Sequence, residues 1–331
     1  MLSPSPGTRC SPPASKPLGA LVLLGVPGLW LKRPGAPTLS GMATTDHATQ
    51  LNIGFIGLGD QGGPMARAIA QAGWPLHVWA RHPRSLAVLA DIPHTTYDTV
   101  PDLGRACDFV ALCMTDDADV REILEDRGLL ASLPPRAIVA NHGTGDPRAA
   151  ATIARRTREQ GHELLDAPVS GGRLAAERHT LTTFVGGDPD TAKRSRPVFE
   201  AFSTTIAYMG PAGNGQLTKL LNNASLLANL RNAEDIITIG ASTGIDGRNL
   251  LDALKTGSGS SFALQFLAGD ITPEMARHLP ELWHKDIGHF SDAIRSRDLP
   301  PSILEARAHE SVEAFRAALA AIDSTTHRTS T

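Results

Sequence analysis

From Leu51 onward the hydrophobic pattern changes period repeatedly. Short runs that are apolar at nearly every position, "LNIGFIG", "LHVWA", "DFVALCM", "AIVAN", "ELLDAPV" and "TTFVGG", alternate with longer segments rich in alanine, leucine and charge. Strands buried on both faces of a parallel sheet carry such continuous runs, and the intervening segments have helical spacing. One of them is "PMARAIAQA", and Gly73 stands where a C′ glycine would stop that helix. The alternation predicts an α/β domain with a parallel-sheet core. After about Gly210 the strand signal stops, and Gln216 to Thr331 reads as helices only. The expected organisation is an unstructured extension over 1–50, an α/β domain over 51–211 and an all-α domain over 212–331, entered through a long helix.

That helix, from about Gln216 to Thr243, is apolar on nearly every side, the pattern of a helix packed all round. Lys219, Asn223, Leu226 and Leu230 fall on one stripe of it. An ammonium group that runs into leucines rather than further charge calls for a chemical reason.

Composition narrows the classes. At 331 residues and 35.0 kDa the chain is long enough for two domains, each with its own core. A net charge of −3 and a pI near 6.5 supply no electrostatic reason to bind nucleic acid. Arg155, Arg156 and Arg158 read as the wet face of a helix. Cys10, Cys107 and Cys113 have no zinc spacing, and the strand-like "DFVALC" would hold the last two roughly 20 Å apart, so they cannot pair. Reduced thiols lead to the expectation of a cytoplasmic protein.

The first 41 residues hold 8 of the 24 prolines, four basic residues and no acid. They lack the material of a folded domain. "LGALVLLGVPGLWL" is too short to span a bilayer comfortably and is followed at once by Lys32 and Arg33, which suits neither an anchor nor a signal-peptide cleavage site. The expectation is an extension ahead of a start at Met42, and no membrane partner.

Candidate chemistry begins at "GLGDQG", Gly57 to Gly62, a G-x-G-x-x-G between a predicted strand and a predicted helix. There Gly57 permits the tight turn, Gly59 a close approach of backbone to a pyrophosphate, and Gly62 close packing of helix on strand. Leu58 and Gln61 complete the turn, and the helix N-terminus offers N–H groups to the phosphates. The domain is therefore expected to be a dinucleotide-binding domain of Rossmann type. An NAD enzyme places a carboxylate at the end of the second strand. Here Ala80 takes that place, with Arg81, His82 and Arg84 beside it. Arginine against a ribose 2′-phosphate favours NADP(H), by about ten- to a hundredfold for a charge-assisted hydrogen bond, with NAD(H) the less favoured cofactor.

Three further stretches complete a set: "DAPVSGG" from Asp166 to Gly172, "GNGQLTKLLNN" some forty residues on, and "HKDIGHF" from His284. With "GFIGLGDQGGPM" at the front, their order resembles the β-hydroxyacid dehydrogenase family. That family includes 3-hydroxyisobutyrate dehydrogenase, tartronate semialdehyde reductase and the glyoxylate/succinate semialdehyde reductases. The resemblance covers nearly all of Met42 to Thr331. It implies Lys219 as general acid/base, Asn223 holding the substrate oxygen, and Ser170, Gly171 and Gly172 receiving a substrate carboxylate. It also implies Thr115, Thr144 and Lys285 beside the cofactor, and a loop at "GSGSSFAL" that reaches it.

Those roles suit the residues. A Ser-Gly-Gly turn presents a hydroxyl and two N–H donors to an anion, and desolvation would bring Lys219 toward neutral pKa. The implied ligand is a small carboxylate-bearing aldehyde or hydroxyacid, and the implied assembly a homodimer or homotetramer.

Three departures from the family pattern stand out: Gln61 in the turn, "NHGT" in place of Asp-x-Ser-Thr, and His179 where glycine is usual. The second is expected to touch the nicotinamide face. Two other functions remain open at this level, an NADPH-dependent imine reductase and a non-catalytic NADPH-binding protein; Lys219 argues against both. Taken alone, Lys219 also fits a snorkelling lysine and Asn223 a core amide.

Overall fold

The computed structural model describes residues 29–31, 51–269, 273–312 and 315. The strands are β1 (Leu29–Leu31), β2 (Ile53–Ile56), β3 (Leu76–Trp79), β4 (Thr95–Thr96), β5 (Phe109–Leu112), β6 (Ile138–Asn141), β7 (Glu163–Asp166), β8 (Val169–Ser170), β9 (Leu181–Gly186) and β10 (Ser203–Gly210). The helices are α1 (Gly62–Gln71), α2 (Val100–Ala106), α3 (Asp117–Arg121), α4 (Leu129–Ser132), α5 (Pro147–Glu159), α6 (Gly172–Glu177), α7 (Pro189–Phe199), α8 (Asn214–Ser242), α9 (Gly247–Leu254), α10 (Phe262–Leu267) and α11 (Pro273–Arg295). A last helix covers 303–312.

One sheet runs β1-β10-β9-β7-β6-β5-β2-β3-β4, and β8 pairs with β9. From β4 to β7 every neighbour is parallel, as in Phe55↔Ala111 and Val139↔Leu164. All four residues of β2, β5 and β6 are buried, because helices cover both faces. Alternate residues feed two cores: Ile53 and Phe55 pack with Met65 and Ile69 of α1, while Ile56 packs with Leu103 of α2 and with Ile123 and Leu124.

Beyond β7 the sheet is mixed, since β9 runs antiparallel to β7 and to β8, and parallel to β10. Neither β4 nor β10 has the fully apolar pattern of a central strand: both residues of β4 are exposed, and several of β10 are half-buried. The three residues of β1 lie in the segment expected to have no structure, and they pair antiparallel with β10. A sheet edge offers a row of unpaired N–H and C=O groups, and a short strand satisfies them. The remainder of 1–50 and Cys10 lie outside the described residues, whereas Cys107 and Cys113 are free thiols.

After Gly210 no strand occurs among the described residues. Leu220, Leu227 and Ile237 of α8 form a third core with Leu251, Leu264, Trp283, Ile287 and Phe290. The expectation that α8 is packed all round fails on one face. Leu221, Ile236 and Ile239, which lie within one helical arc, are exposed. No helix of the described residues is long and apolar enough to cross a membrane.

The two parts of the chain are joined at Asp166, fully buried at the end of β7. Its Oδ1 accepts from the Gly213 N–H and its Oδ2 from the Gln216 N–H, both at 2.8 Å. No side chain of α8 caps its own N-terminus, and Gly213 there takes a φ of +93°. Asp166 is thus a cap supplied from another strand, with its charge at the positive end of the helix dipole. Burial pushes its carboxyl up to about 6, and the N–H donors of α8 work against that shift. A Cβ on Gly215 would sit 2.4 Å from the Asp166 carbonyl oxygen, so the helix can approach this closely only as glycine.

Asp166→Asn keeps the shape but turns an amide NH2 toward one backbone donor. It should lose about 2–3 kcal/mol of stability, the cost of an unsatisfied buried group near a charge. Urea denaturation checks this, and a loss below about 0.5 kcal/mol would mean that the junction does not rest on this carboxylate.

Candidate active site

The glycine-rich turn lies between β2 and α1. Gly57 has a φ of +99°, and a Cβ there would lie 2.3 Å from the Cys113 carbonyl oxygen. A Cβ on Gly62 would meet the Gly57 carbonyl oxygen at 1.9 Å. These two glycines are demanded by the fold itself. No atom of the described residues lies within 4 Å of a Cβ placed on Gly59, so the turn is open on that side to a group approaching from outside. The N-cap Gln61 makes no side-chain cap, and the first turn of α1 holds no acid, leaving the helix N-terminus to an anion. Leu58 is buried beneath the turn. These residues fit a dinucleotide pyrophosphate.

At the end of β3, Arg81, His82 and Arg84 are exposed. Nη2 of Arg81 donates to Asp119 Oδ1 and to Glu122 Oε2, each at 2.8 Å. The carboxylates near this arginine therefore come from the region of α3 rather than from β3. For Nε and Nη1 of Arg81, and for Arg84, no partner is found among the described residues.

The loops after β5 and β6 meet at Lys285 of α11, whose Nζ donates to the Thr115 carbonyl at 2.6 Å and the Thr144 carbonyl at 3.2 Å. Three residues expected beside the cofactor are thus brought together. Gln216, fully buried on α8, ties the same region to the helix: its Nε2 donates to the Gly143 carbonyl at 2.8 Å, and its Oε1 accepts from the Gly145 N–H at 3.0 Å.

One turn beyond Gln216, Lys219 is only 8% exposed. Desolvation lowers its ammonium pKa to about 8; the negative charge of Asp286 opposes the shift and the positive charge of nearby Lys285 adds to it. Asn223, one turn further, donates from Nδ2 to Asp286 Oδ2 at 2.7 Å. Between them, Asn222 donates from Nδ2 to Ser170 Oγ and to Asn223 Oδ1, both at 3.1 Å. Ser170 ends β8, and Gly171 and Gly172 follow with φ of +129° and +69°. A Cβ on Gly171 would lie 2.5 Å from that of Ala175. The arrangement combines hydrogen-bond donors suited to a carboxylate with a lysine able to give or take a proton near neutral pH.

Two departures from the family pattern take structural roles. Within "NHGT", Thr144 lies beside Lys285, whereas His142 points the other way. It is buried in the core against Phe199 and Phe202, its Nδ1 lies 2.8 Å from the Ala167 carbonyl, and burial lowers its pKa to about 4. His179 adopts a φ of +57°, the left-handed conformation that explains why glycine is usual there.

Asp166, Gln216 and Asn222 gained no role from the sequence, and Asp286, which resembles half of the family's lysine-aspartate pair near the cofactor, is found bonded to Asn223. For the first, the sequence offers Asn214 of "GNGQ" as a local cap, but the structure makes Asn214 the first residue of α8, its Nδ2 donating to the Met209 carbonyl at 2.9 Å, and the cap comes from Asp166 instead. Among the described residues no cluster suits a metal ion.

Known proteins share this architecture. Residues 52–210 match the family described as the NAD binding domain of 6-phosphogluconate dehydrogenase, and residues 213–327 match the NAD-binding domain of NADP-dependent 3-hydroxyisobutyrate dehydrogenase. The NAD-dependent L-serine dehydrogenase of Pseudomonas aeruginosa is 34% identical over 214 residues, 64% of this chain and 72% of that protein. The Mycobacterium tuberculosis 3-hydroxyisobutyrate dehydrogenase solved with L-serine superposes with a TM-score of 0.72 at 25% identity, covering 83% of this chain and 99% of that one. Psf3, solved with NADP+ and 2-OPP, superposes with a TM-score of 0.70 at 26% identity, covering 82% and 99%. With both halves of its architecture matched and a relative this similar, the chain belongs to the β-hydroxyacid dehydrogenase family and is an NAD(P)-dependent oxidoreductase.

Proposed function

We propose that the chain interconverts a small β-hydroxyacid and its semialdehyde, with NADP(H) as the favoured cofactor and Lys219 as general acid/base. The observation that carries this reading is the buried Lys219, its pKa lowered to about 8, sharing a helix face with Asn222 and Asn223 beside the Ser170 hydroxyl.

Gly57 to Gly62 and the N-terminus of α1 would hold the pyrophosphate, with Thr115, Thr144 and Lys285 toward the nicotinamide end. When bound, the nicotinamide supplies or accepts the hydride. The Ser170 hydroxyl and the Gly171 and Gly172 N–H groups would anchor the substrate carboxylate. Asn223 would hold the substrate oxygen, and Lys219 would protonate that oxygen as it gains charge in reduction, or take its proton in oxidation.

The NADP preference is supported by Ala80 standing where an NAD enzyme has its acid, by Arg84 and the Nε and Nη1 donors of Arg81, for which no partner is found among the described residues, and by NADP+ in the Psf3 structure. The exposed face of α8 at Leu221, Ile236 and Ile239 supports a homodimer or homotetramer.

Lys219→Ala should lower kcat by about 10² to 10⁴ while leaving cofactor binding intact, measured by steady-state rates and NADPH titration; near-normal turnover would contradict the assignment. A base that must be neutral and an acid that must be charged give opposite pH profiles. Hydroxyacid oxidation should rise with pH to a plateau above about 8, and aldehyde reduction should fall above the same pH. Initial rates with each cofactor should favour NADPH by about tenfold or more; equal use of NADH would remove the proposed preference.

A further inference from the structure

The hydrogen bonds beside Lys219 form one connected network in which Asn222 donates toward both ends. At its buried end stands the Asp286 carboxylate on α11, 8% exposed. Its Oδ1 has no hydrogen-bond partner among the described residues, with Lys285 Nζ at 3.6 Å, and its Oδ2 receives the 2.7 Å bond from Asn223. An ionised carboxylate only accepts. It therefore fixes which way the Asn223 amide lies: Nδ2 toward Asp286, Oδ1 away from it. That oxygen in turn accepts from Asn222 at 3.1 Å and so fixes the Asn222 amide, because the reverse orientation would set two carbonyl oxygens against each other. Asn222 has two amide protons and two acceptors, Asn223 Oδ1 and Ser170 Oγ, so both protons are used. The Ser170 hydroxyl, accepting from Asn222, keeps its own proton for another partner.

We infer that Asp286 and Asn222 are positioning residues that set the hydrogen-bond polarity of the substrate site, so that Ser170 and Asn223 both meet the substrate as donors. The inference rests on the proposed function for the location of that site and goes on to define what it accepts. A hydroxyl proton at Ser170 and the second amide proton at Asn223 require acceptors. A carboxylate supplies one, and an oxygen that becomes negative during reduction supplies the other. A carboxamide turned into the same place brings an NH2 group toward donors and leaves them unpaired, which is the strongest form of discrimination a polar site achieves. Neither residue touches substrate in this account; each acts through its neighbour.

The test compares a semialdehyde with its carboxamide analogue, using the full chain with NADPH. KM and kcat are measured for the wild type, Asp286→Asn, Asn222→Ala, Ser170→Ala and the Ser170→Ala/Asn222→Ala double variant. Calorimetric binding of the corresponding hydroxyacid serves as a readout independent of turnover, and melting temperature and NADPH affinity report on folding.

The wild type should prefer the carboxylate by about a hundredfold, and Asp286→Asn and Asn222→Ala should each cut the preference about tenfold, through KM. Measured at a pH well below the Lys219 pKa of about 8, where the ammonium stays charged, charge alone predicts the opposite sign for Asp286→Asn, since removing a negative group near an anion would tighten its binding. In the Ser170→Ala background, Asn222→Ala should change the preference less than about twofold, because the group it orients is already gone.

Carboxylate binding as tight or tighter in a folded Asp286→Asn would overturn the polarity account while leaving the proposed function standing. So would a full effect of Asn222→Ala without Ser170. A wild type that turns over the aldehydes with no preference for the carboxylate would overturn both the polarity account and the proposed carboxylate site.

Discussion

The contact between the Asp166 carboxylate and the first turn of α8 places everything that follows. The carboxylate is out of water, and burial alone would favour its neutral form. The N–H groups of Gly213 and Gln216, at the positive end of a 29-residue helix, meet its charge. Gln216 then bonds Gly143 and Gly145 beyond β6, so the start of α8 is tied to the ends of two adjacent parallel strands. A helix anchored at that point must carry Lys219 past the ends of the strands where the loops of an α/β sheet gather, which is where such sheets bind ligands.

From there, chemistry follows from burial and from charges at a distance. Lys219 loses solvation on a helix whose neighbouring stripe, Leu220, Ala224 and Leu227, is committed to the helical core. Asp286 limits how far its pKa falls, and Lys285, adjacent in sequence, is drawn off to the Thr115 and Thr144 carbonyls. The Lys-Asp pair on α11 thus links both halves of the chain: the lysine holds loops of the sheet, and the aspartate holds Asn223 on α8.

Local rules were enough for much of this in the sequence. Continuous apolar runs revealed the buried parallel strands, and the glycine spacing revealed the turn, because Gly57 and Gly62 are needed by the backbone whatever is bound. The order of four motifs identified the family, and through it the residues that the structure brings together on α8, β8 and α11. Edge strands were less legible. Thr95–Thr96 is exposed and polar, β10 mixes buried and half-buried positions, and β1 exists by pairing with β10. The direction of His142 was not legible in "NHGT", because packing against Phe199 and Phe202, distant in sequence, turns it into the core. The junction at Asp166 joins residues about fifty apart in sequence, and no local pattern encodes which carboxylate meets which helix. The exposed stripe of α8 was read as buried because composition reports that a helix is apolar, not what lies against each face.

The central claim is that the fold places Lys219 out of water yet beside a compensating charge, leaving its ammonium ready to exchange a proton near neutral pH. Its most direct test is the titration of Lys219 Nζ itself, by NMR of ¹³C-methylated lysines with the signal assigned through Lys219→Arg. The account predicts a pKa of about 8, well below the usual 10.5. A Lys219 that titrates at 10.5 would contradict it, because that ammonium would be solvated and no better placed for proton transfer than a surface lysine.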